Sequence, residues 1–221
     1  MKLGYERKER ILESFVLERV DIDFRKSDEN LIICGSTGMG KSELVKREIT
    51  ELCELGENIL VFADNPEEYR NFNGIKQYSL SQLENGTGSI KNDIYNKERD
   101  KTLYIYIDSL DNSSLRQLNE IECLFALSRV HRLVVSATCC NHKQVMNFNA
   151  LLRLSKHFLQ LPYNEENLPE NDLFTTDEKE YIAFRHGRDI KEIKTLNNRL
   201  IYKKTIDIGK IETVLVTDVF E

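Results

Sequence analysis

Gly35, Gly40, Lys41 and Ser42 stand at the spacing G-x-x-x-x-G-K-[ST] within "LIICGSTGMGKSELV". That spacing serves phosphate chemistry: the glycines let backbone N–H groups turn inward around phosphate oxygens, the lysine bridges the terminal phosphates of a nucleoside triphosphate, and the hydroxyl at the helix start holds Mg²⁺. Gly35, Ser36, Thr37, Gly38, Met39, Gly40, Lys41, Ser42 and Glu43 therefore form the expected binding loop. An ordinary Gly-rich strand-to-helix turn has no need of the Lys-Ser pair. Such a loop requires a second acid, at the end of another buried strand, to hold the metal-bound water. Asp108 closes the apolar run "LYIYID" and is the candidate. Ser42 and Asp108 are thus the expected metal pair, and Lys41 and Asp108 the expected catalytic pair.

These residues need a sheet edge to hold them, and the flanking patterns supply one. The buried run 31–34 leads into the loop, and Leu44, Val45, Ile49, Leu52 and Leu55 then share one helix face up to a stop at Gly56. "NILVFAD" (58–64) is the next buried strand, so the unit is βαβ and its strands run parallel. Further along, "NPEEYRNF" reads as a short helix or turn opened by Pro66, and "IKQYSL", "LYIYID", "RLVVSAT" and "KHFLQLP" as strands. Leu115, Leu118, Ile121, Leu124 and Leu127 lie at helical spacing, as does "HKQVMNFNALLRLS". Before the loop, Ile11, Leu12, Phe15, Val16 and Leu17 suit an amphipathic helix within residues 5–20, and "VDIDF" (20–24) a half-exposed strand. After Pro162 the chain is polar and acidic, and "RLIYKKTIDI" and "KIETVLVTDVF" form a pair of strands around Gly209. The expected fold is α/β, a three-layer sandwich on a mostly parallel sheet. It is read as one domain over 1–221, with a core at about 20–162 and a C-terminal β extension at about 163–221.

The 221 residues are 40% hydrophobic and 31% charged, and no apolar run approaches the roughly 18 residues of a membrane span. The opening "MKLGYERKERILESF" has no apolar stretch of the signal-peptide kind, which predicts a cytoplasmic protein without membrane insertion. Five cysteines form neither an even set nor a C-x-x-C framework and read as buried thiols; Cys139, Cys140 and His142 lack a second ligand pair for a metal. A net charge of −6 confines any nucleic-acid contact to a local patch. "SIKNDIYNKERDK" offers Lys91, Lys97, Arg99 and Lys101 around Tyr95, a mixture that could contact phosphates, though its interleaved acids better suit a solvated loop.

The segment "VDIDFRKSDENLIICGSTGMGKSELV" resembles the first part of FtsK/HerA-type DNA-translocating ATPases, whose loop reads G-x-T-G-x-G-K-S; Gly35, Thr37, Gly38, Gly40, Lys41 and Ser42 match it. "NILVFADNPEEY" resembles the family's second strand, and "FALSRVHRLVVSATCC" its helix, Arg-containing turn and strand leading to an "ATQ" element. The likeness covers about residues 20–162. It implies a RecA/FtsK-like P-loop NTPase that uses ATP and Mg²⁺, forms a homo-oligomeric, hexameric ring, and moves or packages double-stranded DNA delivered by a recruiting protein. It also implies an arginine finger from a neighbouring subunit, for which Arg129 and Arg132 are the candidates.

Two positions depart from the family. Ser109 stands where a glutamate usually follows the strand-ending aspartate, and Cys139 where a polar sensor, often Gln, is found. Serine is no carboxylate base near neutral pH, so hydrolysis requires a substitute such as Asp111, Glu120 or Glu122, or else is slow. The sequence therefore supports a DNA motor first, and second a nucleotide-binding switch or assembly protein with weak or absent hydrolysis. A small-molecule kinase ranks third, because the acidic segment after Pro162 offers only Arg185 and Arg188 in a short span to form a lid.

Overall fold

The computed structural model describes residues 2–11, 14–21, 29–85, 90, 101–140, 145–161, 199–205 and 210–216. Among the described residues ten strands occur in chain order: β1 (Lys2–Ile11), β2 (Ser14–Asp21), β3 (Leu31–Cys34), β4 (Asn58–Ala63), β5 (Ile75–Ser79), β6 (Leu103–Asp108), β7 (Leu133–Cys139), β8 (His157–Gln160), β9 (Arg199–Thr205) and β10 (Lys210–Val216). The helices are α1 (Lys41–Glu54), α2 (Leu115–Leu127) and α3 (Phe148–Leu154), with 3₁₀ turns at Pro66–Tyr69 and Leu80–Asn85. All ten strands join one sheet in the order β2-β1-β10-β9-β8-β3-β7-β6-β4-β5. The six from β8 to β5 are parallel, and β9, β10, β1 and β2 extend the sheet antiparallel beyond β8.

Burial on both faces explains why the parallel strands read as unbroken apolar runs. Leu31, Ile33, Ile59, Val61, Tyr104, Tyr106 and Val134 pack against Leu44, Val45, Ile49 and Leu52 of α1 on one face. The alternate residues Ile32, Leu60, Phe62, Ile105, Ile107, Val135 and Ala137 pack against α2 and α3 on the other. A three-layer sandwich results, as the periodicity predicts. Among the described residues the Tyr106 hydroxyl and Ser136 Oγ are buried without a hydrogen-bond partner, and the two residues face each other in register on β6 and β7. Burial pushes the Tyr106 phenol well above its ordinary pKa. Tyr106→Phe is accordingly expected to raise the unfolding free energy by about 1 kcal/mol in urea titrations, since it removes an unsatisfied polar atom and keeps the ring; a loss of that size would reveal a partner for the hydroxyl.

The sheet edge opposite the Gly-rich loop is tied by polar groups. Asn30, fully buried, shares its two Nδ2 hydrogens among Phe125 O (3.2 Å), Ser128 Oγ (2.7 Å) and Leu154 O (3.1 Å), and its Oδ1 accepts from Val135 N (3.0 Å). One carboxamide thus joins the ends of α2 and α3 to the start of β7. The Asn30 backbone carbonyl accepts from Lys156 N and His157 N, both at 3.0 Å, which fixes the start of β8. Beside it, Glu29 accepts from Lys156 Nζ and meets His157 Nε2, each at 2.5 Å. Burial drives the Glu29 carboxyl upward, but its hydrogen bonds and charge contacts with Lys156 and His157 outweigh burial and hold it below its ordinary 4.5. A depressed folded-state pKa contributes stability that is present above the unfolded value and lost as pH falls through the folded one. Wild-type stability should therefore decline below pH 4.5, and Glu29→Gln should make that acid limb shallower, measured as urea midpoints at pH 7 and at successive steps below 4.5. Parallel pH profiles for the two proteins would contradict the assignment.

One element differs from the sequence reading. Residues 5–20, expected as an amphipathic helix, form the antiparallel hairpin β1–β2, with Ile11 opposite Ser14 and register shifts between Lys2 and Gly4 and between Arg7 and Glu9. The apolar spacing around Phe15 fits both periods, and pairing of β1 with β10 decides for the strand, as tertiary partners commonly override local preference. The strand read at 20–24 has its first two residues in β2; the remainder lies outside the described residues. So do 86–89 and 91–100, which contain Lys91, Tyr95, Lys97 and Arg99, as well as His142 and the acidic stretch with Arg185 and Arg188.

Candidate functional site

The loop leaves β3 at Gly35, whose N–H donates to Cys139 O on β7 (3.2 Å). A Cβ at Gly35 would sit 2.7 Å from the Leu161 Cβ, so only glycine lets the chain leave the sheet this close to the residue after β8. Gly38 (φ 81°) and Gly40 (φ 88°) take left-handed conformations that side chains rarely adopt, and these reverse the chain into α1. No side chain caps the first turn of α1. Its leading N–H groups point along the helix axis toward the loop, the arrangement that binds anions. Lys41 opens the helix and Ser42 follows it, while Glu43 is exposed and pairs with Lys46 at 3.3 Å.

Lys41 is only 7% exposed. Its ammonium donates to Gly35 O (2.7 Å) and Ser36 O (3.2 Å) and lies 3.1 Å from Cys140 Sγ. The charge is therefore held at the centre of the loop. Cys140 Sγ also approaches Thr37 Oγ1 at 3.5 Å, so the residue after β7 closes one side of the loop. Behind it, Cys34 and Cys139 are opposite one another in register and fully buried. Burial first, and the hydrogen bond with Cys139 second, push the Cys34 thiol well up, which keeps it protonated.

Asp108 ends β6, two strands from β3 with β7 between. Its Oδ2 accepts from the Tyr69 hydroxyl (2.7 Å) and its Oδ1 from Thr138 Oγ1 (2.5 Å). The carboxylate is thus fixed from both sides. Burial and then the charge of Asp108 raise the Tyr69 pKa far above its ordinary value, so this phenol remains a donor. The peptide from Asp108 to Ser109 is cis. The following segment folds over the end of β7: Leu110 N donates to Thr138 O (2.8 Å), and both oxygens of Asp111 accept from Cys140 N at 2.8 Å. A reciprocal capping box of Ser114 and Gln117 then starts α2.

The structure brings residues 35–42 and Asp108 to the same edge of the sheet, at the ends of β3 and β6 with β7 between them. Arg129 and Arg132 it does not: they lie in the turn before β7, at the opposite edge, where Arg129 Nη2 donates to Arg153 O (3.1 Å). The Cys139 side chain points into the core, and Cys140 is the residue that touches the loop. Tyr69, Thr138 and the Asp111–Cys140 pair were not foreseen as holding the site. A polar residue closing the buried run "LVVSAT" is a signal that would have found Thr138; Tyr69 arrives from a 3₁₀ turn with no periodic mark.

The order β8-β3-β7-β6-β4 with the Gly-rich loop at the carboxyl end of its second strand, and a clamped aspartate two strands away, defines a P-loop NTPase of α/β architecture. Within that class the chain belongs to the family of the HerA helicase central domain, whose model matches residues 19–218, and it is a P-loop ATPase of the FtsK/HerA type. No curated protein matches it. Among solved structures it is similar to the DNA-packaging ATPase from Sulfolobus turreted icosahedral virus (14% identity, 85% of this chain and 97% of that one, TM-score 0.58). The genome packaging NTPase of Sulfolobus turreted icosahedral virus 2, in complex with ATP-gammaS, is also similar (13% identity, 85% and 96%, TM-score 0.53). So is EccC (ATPases 2 and 3) of Thermomonospora curvata with a signal sequence peptide (12% identity, TM-score 0.62), where 98% of this chain spans 40% of that one. At these identities the likeness is one of fold.

Proposed function

We propose that the chain is a Mg²⁺-dependent ATPase that translocates or packages double-stranded DNA as a ring of identical subunits. One observation carries the reading: the buried Lys41 ammonium at the loop centre shares a sheet edge with an Asp108 carboxylate clamped by Tyr69 and Thr138. In this reading the N–H groups of residues 35–43 and Lys41 bind the β- and γ-phosphates of ATP. Ser42 and Asp108 fit Mg²⁺ in donor type, a hydroxyl and a carboxylate being hard oxygen ligands for an ion that also takes phosphate oxygens and water. The ion, when bound, neutralises charge on the transferring phosphoryl group. Tyr69 and Thr138 keep Asp108 in one orientation, so little reorganisation is required on loading.

Membership of the HerA family and the packaging ATPases among similar folds support DNA as the partner. Arg129 and Arg132, remote from the phosphate loop of their own chain, fit a finger offered to a neighbouring subunit. No helix among the described residues is long and apolar enough to cross a membrane, and we place the motor in the cytoplasm as one domain. The test is ATP hydrolysis with and without double-stranded DNA, together with sedimentation in the presence of an ATP analogue. DNA-stimulated turnover by a nucleotide-dependent ring is expected; a monomer under all conditions, indifferent to DNA, would refute the motor. Ser109 after Asp108 favours one second reading, a switch that binds ATP and assembles without turnover, and it predicts the ring with no hydrolysis.

A further inference from the structure

The polypeptide after Asp108 does not leave the sheet edge; it turns back across the end of β7. The bond from Leu110 N to Thr138 O draws it there, and Asp111 is anchored on Cys140 N through both carboxylate oxygens at 2.8 Å. β7 is the strand between β3 and β6. Asp111 is thereby set one strand nearer the Gly-rich loop than the strand that bears Asp108. The residue it anchors on touches Lys41 Nζ at 3.1 Å and Thr37 Oγ1 at 3.5 Å. Its charge is also felt at Cys34, the last residue before the loop, where it adds to the upward shift of the thiol.

A carboxylate has about four lone-pair positions, so the anchor on Cys140 N does not by itself exhaust what Asp111 can accept. Asp111 is half-buried, open enough for a water to reach. The two other acids that the sequence offers in place of Ser109 are elsewhere. Glu120 and Glu122 lie inside α2, about 8 and 11 Å of helical rise beyond its first residue, on an element that leads away from the strand ends.

We propose that Asp111 is the catalytic carboxylate of ATP hydrolysis in this chain, reached by the fold-back over β7 and orienting the attacking water that Ser109 cannot. The inference rests on the hydrolytic reading above. The water oxygen forms a bond to the γ-phosphorus, the bond from that phosphorus to the β–γ bridging oxygen breaks, and its electron pair leaves with ADP. The proton released by the water passes to Asp111 and from there to solvent.

Steady-state hydrolysis of ATP by the full chain with Mg²⁺ and double-stranded DNA, beside equilibrium binding of a fluorescent non-hydrolysable ATP analogue, tests this. Asp111→Asn keeps an acceptor for Cys140 N and removes the charge; it should lower kcat about 100-fold while analogue affinity and melting temperature stay within about twofold and 2 °C. Asp111→Glu retains the carboxylate and should retain more turnover than Asp111→Asn. Glu120→Gln and Glu122→Gln should match wild type. Unchanged kcat in Asp111→Asn overturns the role and leaves the hydrolytic reading standing, and so does a kcat loss matched by lost analogue binding, which would make Asp111 a support for the loop. Wild-type protein that binds the analogue and never hydrolyses ATP overturns the hydrolytic reading, and the role of Asp111 with it.

Discussion

Lys41→Ala is expected to lower ATP turnover by about 100- to 1,000-fold, the loss typical when one preorganised donor to a developing phosphate charge is removed. The size follows from where the ammonium is held. A lysine in solvent would spread its donors over many rotamers, whereas two loop carbonyls and the Cys140 thiol fix this one at the centre of the loop. Its three donors are engaged within the loop, so phosphate binding exchanges at least one of these bonds for one to a phosphate oxygen. Alanine also removes the cross-link between the start of α1 and the exit of β3, so a weaker affinity for ATP analogues should accompany the loss. Lys41→Arg is not a rescue: a planar guanidinium is wider than an ammonium, and the site is nearly closed to solvent. Single-turnover assays with analogue titrations separate the two effects. Retention of more than a tenth of wild-type turnover in either variant would mean that the phosphates are held by the N–H groups alone.

The second large effect concerns stability and lies at the far edge of the sheet. Asn30→Ala removes four side-chain hydrogen bonds at once and leaves Val135 N and the carbonyls of Phe125 and Leu154 buried with one partner fewer. Each stranded group costs about 1 kcal/mol or more, so a loss of about 3–4 kcal/mol is expected in urea unfolding at neutral pH. The spread of the partners matters more than their number. They belong to α2, α3 and β7, so the substitution should loosen both helices of one layer together, seen as faster amide exchange at both helix ends. A loss under 1 kcal/mol would show that water replaces the carboxamide and that these ends are not closed.

The core of the fold was legible because its signals are local. "LIIC", "NILVFA" and "LYIYID" are apolar on both faces, α1 and α2 carry one apolar stripe each, and the G-x-x-x-x-G-K-S spacing identifies its own turn. The N-terminal hairpin was not legible, since the residues around Phe15 satisfy two periods and the deciding partner, β10, lies some two hundred residues away. Of the site, the loop and Asp108 are set by position along their strands, and strand ends can be read. What clamps them cannot be read in the same way. Tyr69 reaches Asp108 across 39 residues and Cys140 reaches Lys41 across 99, and nothing in either neighbourhood marks the pairing.

The sheet order also sets a timetable for folding. The parallel strands from β3 to β8 are complete once residue 160 has been made, so this half can form before β10 is available, although β3 must find β7 and β8 far along the chain. β1 precedes the other described strands, yet apart from β2 its neighbour is β10, at residues 210–216. Until residues 210–216 have been made, one edge of that hairpin waits for its partner, and a loop that contains the whole parallel half must close before it docks. Slow docking of such an edge is where misassembly between copies begins. Refolding should consequently show the nucleotide-site half gaining structure ahead of the hairpin, with the late phase the one that high protein concentration diverts.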